Sequence, residues 1–248
     1  MTKGGFLLRL RLAVSFLTIV PVSIEDASES AVAASMAWFP LVGAMMGAAF
    51  ALEDYALGFL FHHAIRSALI VLSMAVLSGA IHLDGLTDTA DALSAGRDRT
   101  RALEILRDSR IGVFGAIALF FGLALKIFGL ASLDGDPRLV TLILALMLAR
   151  WALVAVSYKI DYLRTEGAGS SMLGRLDNRN LMIASIFTIL PLIFIHWRRL
   201  VIAYALTVIV TFAMRSFYRR WLGGITGDLI GACGEIVEVL VMLTMAAR

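Results

Sequence analysis

The chain has 248 residues, of which 60% are hydrophobic and 17% charged, with mean hydropathy +0.86. Soluble domains are typically about 45–50% apolar, so this composition excludes an ordinary soluble domain and a disordered chain, and points to an all-α, polytopic integral membrane bundle. The net charge of +3 reads as the cytoplasmic bias of a membrane protein rather than nucleic-acid affinity, and the single Cys233 excludes an intrachain disulfide.

Residues 4–22 are apolar but carry Arg9 and Arg11, which predicts an amphipathic or partly embedded helix ended by Pro21. The run lacks a small-residue cleavage site, so a removable signal is not expected. A polar link with Glu25, Asp26 and Glu29 follows, with Ser28 and Ser30 as candidate caps. Residues 31–52 are the first expected span, kinked at Pro40, with Gly43 and Gly47 as a small-residue contact pair. Residues 57–81 are the second, with His62, His63 and Arg66 at its polar end, Arg66 snorkelling. Residues 111–133 form the third and contain Lys126. A turn at 134–137 leads to a fourth, 139–157, which holds Arg150. A long polar connection occupies 158–180. Two short spans, 181–197 and 200–214, join at Trp197, Arg198 and Arg199. Residues 215–228 are polar and Gly-rich, and 229–247 are a last span carrying Glu235 and Glu238, expected to pair with a cation such as Arg150. The expectation is one domain over 1–248 with six to seven transmembrane helices and an N-terminal interfacial helix.

With the N-terminus in the cytoplasm, fifteen Lys and Arg fall in cytoplasmic segments and four on the other side, counting Lys3, Arg175 and Arg248. A bias of that size sets orientation. It places every polar motif on the cytoplasmic face.

The central motif is IHLDGLTDTADAL at residues 81–93. At about 100° per residue, Asp84, Asp88 and Asp91 fall within roughly a 60° arc of a helix. Three like charges on one face repel unless a cation lies between them, and a hard divalent cation takes oxygen ligands shared with substrate phosphates. Acids in a loop between spans are more often simply solvated. Three acids on one face with no Lys or Arg among them are harder to dismiss, and the spacing alone leaves both readings open. Five arginines follow within 94–110, and Asp108, Ser109 and Arg110 could equally be a cap with its own salt bridge. No P-loop, dinucleotide-binding glycine pattern, zinc spacing or internal repeat is present.

Several blocks carry a resemblance. HLDGLTDTAD (82–91), LEILRDSRIG (103–112) followed by Phe114 and Gly115, and LGGITGDLIG (222–231) resemble the motifs of the adenosylcobinamide-GDP ribazoletransferases, the cobalamin synthases. FPLVG (39–43) and RTEGAG (164–169) are weaker matches in the family's order. The chain departs from the family pattern at Leu229 and Ala92, where Thr and Gly are usual, and packing rather than chemistry is expected to differ there.

The resemblance implies a Mg²⁺-dependent transferase of the inner cell membrane with its site facing the cytoplasm. A ribose hydroxyl of α-ribazole, or of its 5′-phosphate, attacks the cobinamide-side phosphorus of adenosylcobinamide-GDP and GMP leaves. Asp84, Asp88, Asp91 and Asp228 are then candidate metal ligands, with Asp91 also a candidate general base. Asp108 is a ligand or orients one, His82 a candidate catalytic group, and Arg110 and Arg164 phosphate contacts. The partners implied are these substrates and the bilayer, with no nucleic acid, and homo-oligomers left open. A CDP-alcohol phosphotransferase lacks a fit, because its Ala-Arg pair after Asp-Gly is missing. A cation-coupled transporter would place its acids near the midplane with internal repeats.

Overall fold

A computed structural model describes residues 4–24, 27–164, 176–194 and 198–247. Lys3, Glu25, Asp26, residues 165–169 of the fifth block, Arg175, Trp197 and Arg248, all weighed above, lie outside the described residues. Among the described residues there is no strand, only an isolated parallel bridge between Tyr162 and Ile225.

Helix α1, Gly4–Leu17, buries Leu12, Ala13 and Leu17 and exposes Phe6 and Leu7, the pattern of a helix lying on a bundle. It stops well short of Pro21. Ser28 caps α2, Glu29–Ser35, accepting from the N–H of Ala31, and a 3-10 turn at Met36–Trp38 leads into α3, Phe39–Leu57. Together these elements make one span-length run, Glu29–Leu57. Pro40 sits in the first turn of α3, where its missing N–H costs nothing, so it starts the helix instead of kinking a span.

The expected second span is broken. Helix α4, His63–Leu77, is followed by α5, Ile81–Ala92, and the axes bend by 90°. Gly79 and Ala80 hold positive φ values of 62° and 54° at the bend, and the N–H of Ile19, just beyond α1, donates to the exposed carbonyl of Leu77 at 2.8 Å. The acids therefore lie on a second helical limb, not in a loop after a finished span.

After the short helix α6, Arg99–Ile105, come α7, Val113–Ala131, and α8, Gly135–Ser157. Asp134 caps α8, so the expected turn is the helix start. Helix α8 is buried almost throughout and forms the centre of the bundle. α3 approaches it closely: a Cβ on Gly43 would stand 2.5 Å from the Leu146 carbonyl oxygen, and one on Gly47 2.5 Å from Ile143 Cα. Helix α9, Asn178–Phe194, precedes α10, Arg198–Trp221, which is a full-length span, and α11, Gly227–Ala246, closes the fold. The polar stretch from Arg215 continues α10 by nearly two turns instead of forming a loop.

Five helical runs among the described residues are long and apolar enough to cross a membrane, six if the bent pair α4–α5 counts as one. Phe114, Ile117, Phe120, Phe121 and Phe128 on α7, and Val201, Ile209 and Phe212 on α10, are exposed, as expected of surfaces facing lipid. Charged groups inside the bundle are paired. Lys126 bonds Glu235 and Glu238 at 2.5 and 2.7 Å, and Arg150 bonds Glu238 at 2.7 Å, so the expected pairing of the last span's acids holds. Arg66 does not snorkel; with Arg138 it is bound to the fully buried Asp54.

Candidate active site

Helix α5 packs along α11 because Gly85 lets it. A Cβ at residue 85 would stand 2.6 Å from the carbonyl oxygen of Asp228 and 2.9 Å from its Cα. The missing side chain brings Asp84 and Asp88 beside Asp228. The N-terminus of α11 is fixed by Thr226, whose buried hydroxyl accepts from the N–H of Leu229 and donates to Asp228 at 3.3 Å. Residues 161–164 pair with Ile225: the N–H of Leu163 donates to Ile225 O at 2.9 Å and that of Ile225 to Asp161 O at 2.8 Å. This short pairing delivers Arg164, whose Nη2 donates to Asp228 at 2.5 Å and to the carbonyl of Leu106, at the end of α6, at 2.8 Å.

The result is an open cavity of about 520 Å³ lined by Asp84, Asp88, Leu106, Arg107, Asp108, Ser109, Arg164 and Asp228. Four sequence blocks far apart in the chain meet there. Among the described residues, no side chain or backbone donor bonds the carboxylates of Asp84 or Asp88. Asp88 stands at this mouth, outside the five span-length helices, and its carboxyl is pushed up to about 6 by partial burial first, then by the charges of Asp84 and Asp228. Asp108 is held down to about 2 by side-chain bonds from Arg110, at 2.7 to 3.1 Å. Asp108 therefore stays ionised and is a poor proton acceptor near neutrality.

Not every candidate reaches the mouth. Asp91 shares the α5 stripe but lies at its far end, where both oxygens accept backbone N–H groups, from Gly112 at 2.7 Å and Gly115 at 2.8 Å. It caps α7 and does not line the mouth. A Cβ at Gly112 would come 2.5 Å from Asp91 Oδ1, and Gly115 is equally tight against the same carboxylate. His82 is buried, packed against Gly231 of α11, and does not line the cavity. Arg110 is exposed, spent on Asp108, and outside the lining; Arg107 takes its place. The alternative of an Asp108–Arg110 salt bridge was legible in the sequence, and following it through would have released Arg107 as the free arginine of that block. Leu229 and Ala92, the two departures from the family pattern, are fully buried, in keeping with a packing role.

The donor set at the mouth is oxygen only, which suits a hard divalent cation. Among the described residues no three acidic, imidazole or thiol groups stand close enough together to hold a metal ion. Mg²⁺ does not require three: it is commonly held by one or two carboxylates, with water and substrate phosphate completing its shell. Asp84 and Asp88 fit that role directly. Asp228 fits it only by giving up its bond to Arg164.

The family model described as cobalamin-5-phosphate synthase matches residues 9–246. A protein named adenosylcobinamide-GDP ribazoletransferase from Roseiflexus sp. (strain RS-1) is 38% identical over 234 residues, 94% of this chain and 87% of its own. Proteins of the same name from Desulforamulus reducens and Escherichia coli are 35% and 37% identical, covering 94% and 84% of this chain and 94% and 85% of their own. No solved structure matches. A match running from α1 to the end of α11 shows that the chain belongs to the cobalamin-5-phosphate synthase family.

Proposed function

We propose that this protein is the transferase that joins adenosylcobinamide-GDP to α-ribazole, or its 5′-phosphate, with release of GMP, the step that assembles the nucleotide loop in cobalamin biosynthesis. Family membership supports the reaction. The observation that carries the assignment to this site is the convergence of Asp84, Asp88 and Asp228 with Arg164 and Arg107 on one open cavity.

In this reading a ribose oxygen bonds to the cobinamide-side phosphorus, the bridging P–O bond breaks, GMP departs with the electron pair, and the hydroxyl proton is lost to solvent or a mouth carboxylate. Phosphoryl transfer depends mainly on positioning and charge compensation. Bound Mg²⁺ would neutralise pyrophosphate charge and polarise the phosphoryl oxygen. The chain's own residues do the rest. Arg107 lines the mouth and has no side-chain partner among the described residues, which suits it to grip phosphate oxygens in a planar fork. Arg164 is tethered to Leu106 and Asp228, and contacts phosphate by exchanging one of these bonds. Arg110 contacts it only by releasing Asp108. Asp84 and Asp88 are the residues that would hold the cation, and Asp228 would be available to it only without its bond to Arg164.

In this reading the mouth faces the cytoplasm, an orientation supported by the charge asymmetry, and the host membrane is the inner cell membrane. Purified protein in liposomes, given adenosylcobinamide-GDP, α-ribazole 5′-phosphate and Mg²⁺, is expected to release GMP and form a cobamide phosphodiester. CMP release from a CDP-alcohol, or ion flux with no GMP, would replace this reading.

A further inference from the structure

A second cavity lies away from the acidic mouth, where α1, α2 and the start of α9 meet. It measures about 190 Å³, and its polar lining is Arg9, Ser30, Asp177, Arg179 and Asn180, over an apolar floor of alanines, Trp38 and Ile183. Among the described residues neither Arg9 nor Arg179 has a hydrogen bond or an ion pair. Asp177 is used locally: its Oδ1 accepts from the N–H of Asn180 at 2.8 Å. Among the described lining residues, two guanidinium groups without partners therefore face one committed carboxylate, an excess of positive charge.

The surroundings are those of a membrane interface. Trp38 is in edge contact with Phe6 of α1, with ring centroids 4.7 Å apart, and lies 5.3 Å from Phe187 of α9. Phe6 and Leu7 are each about half exposed. Aromatic rings concentrate where headgroups meet hydrocarbon, and arginines there attract anionic lipid. A soluble phosphate would need the two arginines but not the aromatic flank.

We propose that this cavity binds the phosphate of an anionic phospholipid, with Arg9 and Arg179 taking the phosphate oxygens and the Phe6–Trp38–Phe187 flank taking the glycerol and upper acyl chain. Bound there, the lipid fastens α1 to α2 and α9. Since the N–H of Ile19 beyond α1 covers the Leu77 carbonyl at the α4–α5 bend, the same lipid steadies the limb that carries Asp84 and Asp88. The site is independent of the transferase reading.

The test uses the whole protein in phosphatidylcholine nanodiscs with increasing phosphatidylglycerol, read by thermal unfolding and by lipid adducts in native mass spectrometry. Wild type is expected to show a saturable rise in Tm and a retained phosphatidylglycerol adduct, because a ligand bound only by the folded state raises its stability. Arg9→Gln/Arg179→Gln should lose both, and Arg9→Lys/Arg179→Lys should keep part. Should the double variant unfold early in phosphatidylcholine alone, the single Arg179→Gln, at an exposed helix start, carries the same expectation. An equal rise in wild type and variants would overturn the proposal in favour of a general surface-charge effect. A saturable, arginine-dependent rise with inorganic phosphate or glycerol 3-phosphate in phosphatidylcholine discs would overturn it in favour of a soluble phosphate ester.

Discussion

Asp84 and Asp88 are one helical turn apart, and what distinguishes them from Asp91 is the company they keep. Asp91 has two backbone N–H partners, whereas the other two have no donor among the described residues. A carboxyl raised to about 6 by burial and like charge, as Asp88 is, binds a proton or a cation in competition. Below that value the proton wins, so cation affinity should fall as pH falls, by on the order of tenfold per unit. Mn²⁺ titration followed by electron paramagnetic resonance at pH 5.5 and 7.5 checks this. Asp88→Asn should remove the dependence, leave the fold intact, and lower turnover on the order of 10²-fold or more, since a metal acting as Lewis acid contributes several kcal/mol and each ~1.4 kcal/mol is tenfold. Wild-type turnover of a folded variant in limiting Mg²⁺ would remove Asp88 from the site. Asp91→Ala should behave in the opposite way. It deletes a charged cap worth about 1.5–3 kcal/mol, so Tm should drop while Mn²⁺ affinity holds. Unchanged Tm with lost Mn²⁺ binding would return Asp91 to the ligand set.

At the scale of elements, the site is a product of close approach between α5 and α11. The atoms that a Cβ on Gly85 would strike belong to the backbone of Asp228, which cannot rotate away. Gly85→Ala should cost about 1–3 kcal/mol through overpacking and, by parting Asp84 and Asp88 from Asp228, reduce kcat by more than the lost stability explains. Parallel measurement of Tm and kcat decides, and loss of activity only in proportion to folded protein would show the contact to be structural alone. Behind that contact lies the buried group of Lys126, Arg150, Glu235 and Glu238, which ties α7 and α8 to α11. Such a group adds little net stability, yet removing one member leaves an uncompensated charge, at a cost of about 3–5 kcal/mol. It restricts how α11 can slide or turn, and so fixes where Asp228 emerges two turns earlier. The sequence made the members of this group visible as charges inside spans. Their pairing needed only that α7, α8 and α11 be neighbours.

At the scale of the whole molecule, the mouth and the connection between α3 and α4, residues 58–62, lie at opposite ends of the bundle in this reading. In a Cys233→Ser background, a membrane-impermeant maleimide should label Ser109→Cys from the cytoplasmic side and Phe59→Cys from the other. Labelling of both from one side would refute the assigned orientation.

The sequence by itself determined the membrane class, the helical architecture, the polar motifs and the asymmetry of basic residues. Each is a local property, written as apolar length, charge count or spacing along one chain. It did not determine which acids face the mouth. Helical periodicity puts Asp84, Asp88 and Asp91 on one stripe, but a stripe extends along an axis, and a neighbour at one end can claim what the other end leaves free. The N-terminus of α7 claims Asp91, and Asp108 claims Arg110, leaving Arg107. The tertiary structure alone decided the bend at Gly79 and Ala80, the descent of α5 along α11, and the meeting of Arg164 with Asp228 across 64 residues of chain. These depend on contacts between distant segments, for which a single sequence carries no periodic signal.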